Sequence, residues 1–129
     1  MPATISLYDL EAGLLTTLAH PARLQILEVL RSGETCVCHI QAVLGQRQAY
    51  VSQQLMALRE ADLVATRKDG LRVFYRISDP QLLAVLDKAR CMAQTRGQGR
   101  ALSEAALTPR EPCCCPRCAN KPPQALAVT

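Results

Sequence analysis

From Ser6 to Arg31 apolar residues recur at helical spacing: Leu7, Leu10, Leu14, Leu15 and Leu18, then Leu24, Ile26, Leu27 and Leu30. Pro21 suits the first turn of a helix, so the stretch divides into two helices with Ala19 and His20 at the junction. Gly33 closes the second helix, and Thr35 is placed to N-cap a short third one reaching about Leu44. Gly45 breaks that helix, and a fourth is predicted from about Gln48 to Ala61. Its apolar positions Val51, Leu55 and Leu58 share one face and leave Gln48, Tyr50, Gln53 and Gln54 largely outside the stripe. The pattern then changes. "LVATRKDGLRVFYRI" reads as two strands joined at Asp69-Gly70, a dipeptide typical of tight hairpins. Asp79-Pro80 opens a last amphipathic helix carrying Leu82, Leu83, Val85, Leu86, Ala89 and Met92.

Beyond Thr95, glycines, prolines and weak periodicity predict a mobile tail, in which "ALSEAAL" has the composition of a short helical turn. The expected organisation is a domain over residues 1–95 and a Cys-rich tail over 96–129. A chain of 129 residues that is 49% apolar supports one modest core. The N-terminus lacks a signal-peptide pattern and no apolar run reaches membrane-spanning length, so a cytoplasmic location is expected. Seven cysteines form an odd, clustered set, and in a reducing compartment such clusters point to metal binding or redox chemistry rather than a disulfide framework. The net charge of +4 permits nucleic-acid binding without requiring it.

The order of elements is more informative. A short helix, a Gly-containing turn and a helix with a polar, uncharged outer face form a helix-turn-helix, and the hairpin after it has the place of a wing. The predicted fold class is therefore mainly α with a β-hairpin wing, a winged helix-turn-helix. Glutamines at 48, 53 and 54 suit bidentate contact with adenine, Ser52 serves bases or phosphates, and Tyr50 lies on the same helix. Arg47, Arg67, Lys68 and Arg72 lie in or around these elements, where phosphate contacts fix register, and Arg76 follows late in the second strand. A solvated helix beside an ordinary charged hairpin is the plainer alternative.

"LAHPARLQILEVL", "ETCVCHI", "YVSQQLMALREADLV" and "RKDGLRVFYRI" occur in register, and with them residues 8 to 92 resemble the ArsR/SmtB family of metal-responsive winged-helix repressors. The resemblance implies a homodimer joined mainly by the first and last helices. It also implies a near-palindromic operator in double-stranded DNA that is released when an inducer binds. A two-fold dimer places two recognition helices about one turn of DNA apart. The chain departs from the family's common Glu-Leu-Cys-Val-Cys-Asp-Leu motif at Thr35 and His39, and Gln54 stands where many members carry histidine.

With Thr35 as cap, Cys36 and Cys38 fall in the first turn of the third helix, where the helix dipole favours thiolate. Residues two apart in a regular helix point to nearly opposite sides, so both thiols can hold one ion only where the helix start is unwound. Ligation there would tilt the recognition helix. A coupling of roughly 1 to 3 kcal/mol weakens DNA binding about 5-fold to 150-fold. The plainer reading makes these cysteines small buried hydrophobes. His20 is read as structural, and His39 as a helix-face residue or a nitrogen ligand.

"CCCPRC" adds Cys113, Cys114, Cys115 and Cys118. In one reading the tail folds back, within its own chain or onto the partner, and adds thiolates to Cys36 and Cys38. One extra thiolate suits arsenite and two suit cadmium, lead or zinc. In the other reading the tail is an independent thiol cluster. Arsenite is favoured as the inducer, with cadmium or lead next. A redox- or persulfide-responsive repressor using the same cysteines is the alternative. No enzyme activity is expected: Cys115-Pro-Arg-Cys118 lies between prolines, not in the strand-to-helix setting of a thiol oxidoreductase.

Overall fold

A computed structural model describes residues 4–97. Five helices and three short strands follow in the order α1 (Leu7–Leu18), α2 (Pro21–Leu30), β1 (Thr35–Cys36), α3 (Val37–Leu44), α4 (Gln48–Glu60), β2 (Val64–Asp69), β3 (Arg72–Ile77) and α5 (Gln81–Arg96). The tail and its four cysteines lie outside the described residues, and α5 runs one residue past the expected domain boundary at 95.

Local chemistry accounts for most boundaries. Ser6 caps α1, its Oγ accepting from the Tyr8 N–H at 3.1 Å while Asp9 reaches back to the Ser6 N–H. His20 caps α2 in the same manner through Nδ1, with Pro21 at the first helical position. Gly45 ends α3 in the left-handed conformation at φ 63°, which glycine adopts without a Cβ clash. The core is the meeting of α2, α3 and α4. Ile26, Leu27, Ile40, Val43, Val51, Leu55 and Leu58 are fully enclosed there, and Leu63, Val64, Leu82 and Leu86 close its edges. Arg31 at the end of α2 donates to Glu28 and to Asp87 of α5 at 2.7 Å, tying the last helix to this centre.

Two local expectations are corrected. Thr35 is not the cap of α3. It belongs to β1, which pairs antiparallel with β3 in the register Thr35↔Tyr75 and Cys36↔Phe74, so the wing is a three-stranded sheet in the order β1-β3-β2. A β-branched residue fits an extended, enclosed position, and the Thr35 hydroxyl donates to the Gly33 carbonyl at 3.0 Å instead of capping a helix. The hairpin turn is also shifted by one residue. Asp69 pairs with Arg72, leaving Gly70 and Leu71 as the two loop residues, with Gly70 at φ 60°. Glycine in the first loop position fits a type II′ turn, where Asp69-Gly70 at the centre would have required a type I′.

Candidate nucleic-acid interface and thiol pair

The helix-turn-helix is α3, residues 45–47 and α4. Alternation within α4 decides what it can offer a partner. Val51, Gln54, Leu55 and Leu58 face inward, and Gln48, Ala49, Ser52, Gln53 and Met56 face out. Arg47 stands at the N-cap without a side-chain cap bond, so the first-turn N–H groups of α4 remain available as donors beside an exposed cation. Ser52 and Gln53 thus occupy the expected outer face.

Gln54 does not. It is only 8% exposed, and its Oε1 accepts from Arg23 Nε at 2.8 Å while Arg23 NH1 donates to the Thr17 carbonyl at 3.0 Å. This corrects the expected outward placement of Gln54 as a DNA contact: its side chain turns from α4 to Arg23 of α2, and Arg23 in turn reaches the end of α1. Tyr50 is half-buried against the core, its ring 6.4 Å from that of His20, so it too faces partly inward.

On the wing, Lys68 is exposed and Arg72 half-buried. Arg67 is engaged. Its guanidinium reaches Glu34 at 2.6 Å and Asp69 at 3.7 Å, and lies 4.8 Å from the ring centroid of Phe74, its cross-strand partner. The hydrogen bond from Arg67 holds the Glu34 carboxyl below its ordinary range, and Glu34 in turn raises Arg67. A phosphate contact from Arg67 would therefore have to compete with Glu34. Sequence reasoning missed Glu34 and Arg23; each acts on a residue more than 30 positions away, and neither lies in a periodic pattern that marks such a pairing.

The thiol pair sits where wing and helix-turn-helix meet. Cys36 is the N-cap of α3 in an extended conformation, φ −75° and ψ 153°, and Cys38 is the second helical residue. Because Cys36 precedes the helix, the opposed directions of a regular helix do not apply, and the two Sγ atoms are 2.8 Å apart. Cys36 is buried, Cys38 half-buried and Cys91 exposed on α5. His39 is buried within α3. Among the described residues no group of three or more His, Cys, Asp or Glu side chains is placed to hold a metal ion. Two closely placed sulfurs have the chemistry of a partial donor set for a thiophilic ion.

Comparison with known proteins bears on this arrangement. Residues 20–66, from the start of α2 into the wing, match the family described as "Bacterial regulatory protein, arsR family". The chain is 43% identical over 76 residues to the biofilm growth-associated repressor of Agrobacterium fabrum; the match covers 59% of this chain and 65% of that protein's length. The crystal structure of Mycobacterium tuberculosis Rv0081 superposes with a TM-score of 0.63 at 38% identity, covering 72% of this chain and 97% of that one. The homodimeric winged helix-turn-helix DNA-binding domain Mb0332 of Mycobacterium bovis superposes with a TM-score of 0.66 at 28% identity, covering 81% and 100%.

Proposed function

The chain belongs to the arsR family of bacterial regulatory proteins, and from that premise we propose that it is a homodimeric transcriptional repressor which leaves its operator when Cys36 and Cys38 take up a thiophilic metal or metalloid ion. Arsenite is the favoured ion, with cadmium or lead next. The observation that carries the reading is the place of the thiols. Cys36 is at once a β1 residue paired with Phe74 of the wing and the N-cap of α3, so any change in its geometry acts on the wing and on the helix that packs behind α4. Cys36 and Cys38 would hold the ion as thiolates, joined by tail or partner cysteines, and the ion would supply a bond strong enough to re-aim the start of α3. Ser52 and Gln53 read bases, and Arg47 and Lys68 neutralise phosphates. Homodimerisation accords with the apolar residues that α1 exposes and with the homodimeric state of the Mycobacterium bovis neighbour.

Anisotropy of a labelled operator with reduced protein tests this, titrating arsenite, cadmium, lead and zinc against the parent chain, a Cys36→Ser/Cys38→Ser variant and a chain truncated before Cys113. One ion should release the parent and leave the double variant bound. The close approach of the two sulfurs favours a second reading, a redox or persulfide switch. An oxidant such as hydrogen peroxide would take two electrons and two protons from the thiols, joining them as a disulfide and being reduced to water. Release by peroxide, reversed by dithiothreitol, with indifference to all four ions would replace the first reading by the second.

A further inference from the structure

The outer face of α4 is not uniformly polar. At about 100° of rotation per residue, Ala49 and Met56 fall between Ser52 on one side and Gln53 on the other, at the middle of the exposed stripe. Both are exposed, Met56 at 59%, and neither belongs to the core cluster. A long thioether at the centre of a solvent-facing stripe does nothing for this fold. The two residues are seven apart, ~10 Å along the helix, or about three base-pair steps of 3.4 Å. The charge along most of α4 suits an anionic duplex: no acidic residue occurs from 35 to 59, Arg47 and Arg59 are exposed within that stretch, and Glu60 follows only as the last residue of the helix.

Resting on the reading of α4 as the helix that enters the major groove, we propose that Ala49 and Met56 determine specificity by packing on thymine C5-methyl groups, so that each operator half-site carries A·T pairs at the centre of the α4 footprint. Thymine alone among the four bases presents a methyl group in the major groove, and apolar side chains recognise it there. Gln53, beside them, suits the N6/N7 edge of adenine. A methyl contact and an adenine contact from neighbouring positions on one stripe converge on the same kind of base pair. Methionine adapts its unbranched chain to the methyl's position, and its contact can be lost without disturbing the fold.

The test uses an operator selected from random duplexes and a scan in which single thymines are replaced by deoxyuridine, which lacks the methyl and keeps Watson–Crick pairing. The parent protein should lose about 4-fold per contacted methyl, the equivalent of roughly 0.8 kcal/mol per buried CH2 group, and ~15-fold when the same position is changed in both half-sites. Met56→Ala should bind the thymine operator more weakly by a similar factor and become insensitive at one thymine per half-site, while Met56→Leu restores both affinity and sensitivity. Unchanged thermal unfolding of the variants shows that the fold is not the cause. Equal losses for parent and Met56→Ala at every thymine, or no loss for the parent, overturn the methyl contact with operator recognition left standing. No preference for any selected operator over random duplex overturns the underlying reading, and this inference with it.

Discussion

Helices α1 and α4 carry the same kind of apolar periodicity and resolve it in opposite ways. In α4 the apolar stripe is enclosed, with Val51, Leu55 and Leu58 at zero exposure, and the outer face carries Ala49, Ser52, Gln53 and Met56. In α1 only Leu18 is buried, whereas Leu7 is 74% exposed, Leu10 60% and Leu15 51%. Periodicity therefore states that a helix has an apolar face and says nothing about whose surface will cover it. For α4 the cover is α2 and α3 of the same chain; for α1, on the reading given above, it is a second copy. Stability within one chain and assembly of two chains should thus be separable by mutation.

The largest effect is expected on α1. Leu7→Glu/Leu10→Glu places two charges where the partner would pack, and should leave a folded monomer by sedimentation. Its operator affinity should fall by about three orders of magnitude or more, toward non-specific binding. A variant that still sediments as a dimer would refute the role of α1. Next come neighbours on α4 itself. Leu55→Ala should cost about 2 to 5 kcal/mol of unfolding free energy through a lost contact and a residual cavity. Met56→Ala, one position further, should stay within about 0.5 kcal/mol of the parent. Denaturant midpoints that fail to separate the two would mean that the inward face of α4 is misplaced.

A finer form of the same comparison sets Gln54 against Gln53. Gln54→Ala removes the acceptor of the half-buried Arg23 and should cost about 1 to 3 kcal/mol of stability. Gln53→Ala should leave stability unchanged and instead reduce discrimination at one base pair by about 1 to 3 kcal/mol. If both variants behave like Gln53→Ala, the Arg23 link is dispensable and α2 holds α4 by apolar packing alone.

This pair also shows how far the sequence could be read. The positions 51, 54, 55 and 58 follow the helical i, i+3, i+4, i+7 series, so the inward direction of Gln54 was present in the spacing; its polarity concealed it. The helices and the hairpin were legible because each depends on residues close along the chain. Strand β1 was not, because two residues carry no period and its partner β3 lies about forty residues further on. The meeting of the thiols was hidden for the same reason. Sequence pointed to Cys36 and Cys38 as a pair, but their approach depends on Cys36 being extended, and β3 holds it so. Asp69-Gly70 marked the right turn and missed its centre by one residue, since register is fixed by the whole ladder and not by the dipeptide.

The smallest effect expected is at Glu34, and it sharpens the contrast between a cation committed to the fold and one left for DNA. The Glu34–Arg67 pair is exposed, so its removal should barely move the unfolding midpoint at neutral pH. Because Arg67 depresses the folded-state Glu34 carboxyl, the pair's contribution is fully present above the ordinary glutamate value near 4.5 and is lost as pH falls through the lowered one. The small offset between parent and Glu34→Gln should therefore be constant from pH 7 to 5 and should close in more acidic solution, where the parent's carboxyl takes up its proton. DNA binding is where the difference should be read at neutral pH. Freed from its carboxylate, Arg67 can turn to a phosphate, and Glu34→Gln should tighten binding to random duplex and steepen the log-log salt slope by about 0.9 per added contact, or ~1.8 for one in each protomer of a dimer. Arg67→Ala should abolish that gain when combined with Glu34→Gln. An unchanged slope in the single variant would mean that the Arg67 guanidinium, held over Phe74, serves the wing in both states, leaving Lys68 and Arg47 as the cations that meet the duplex.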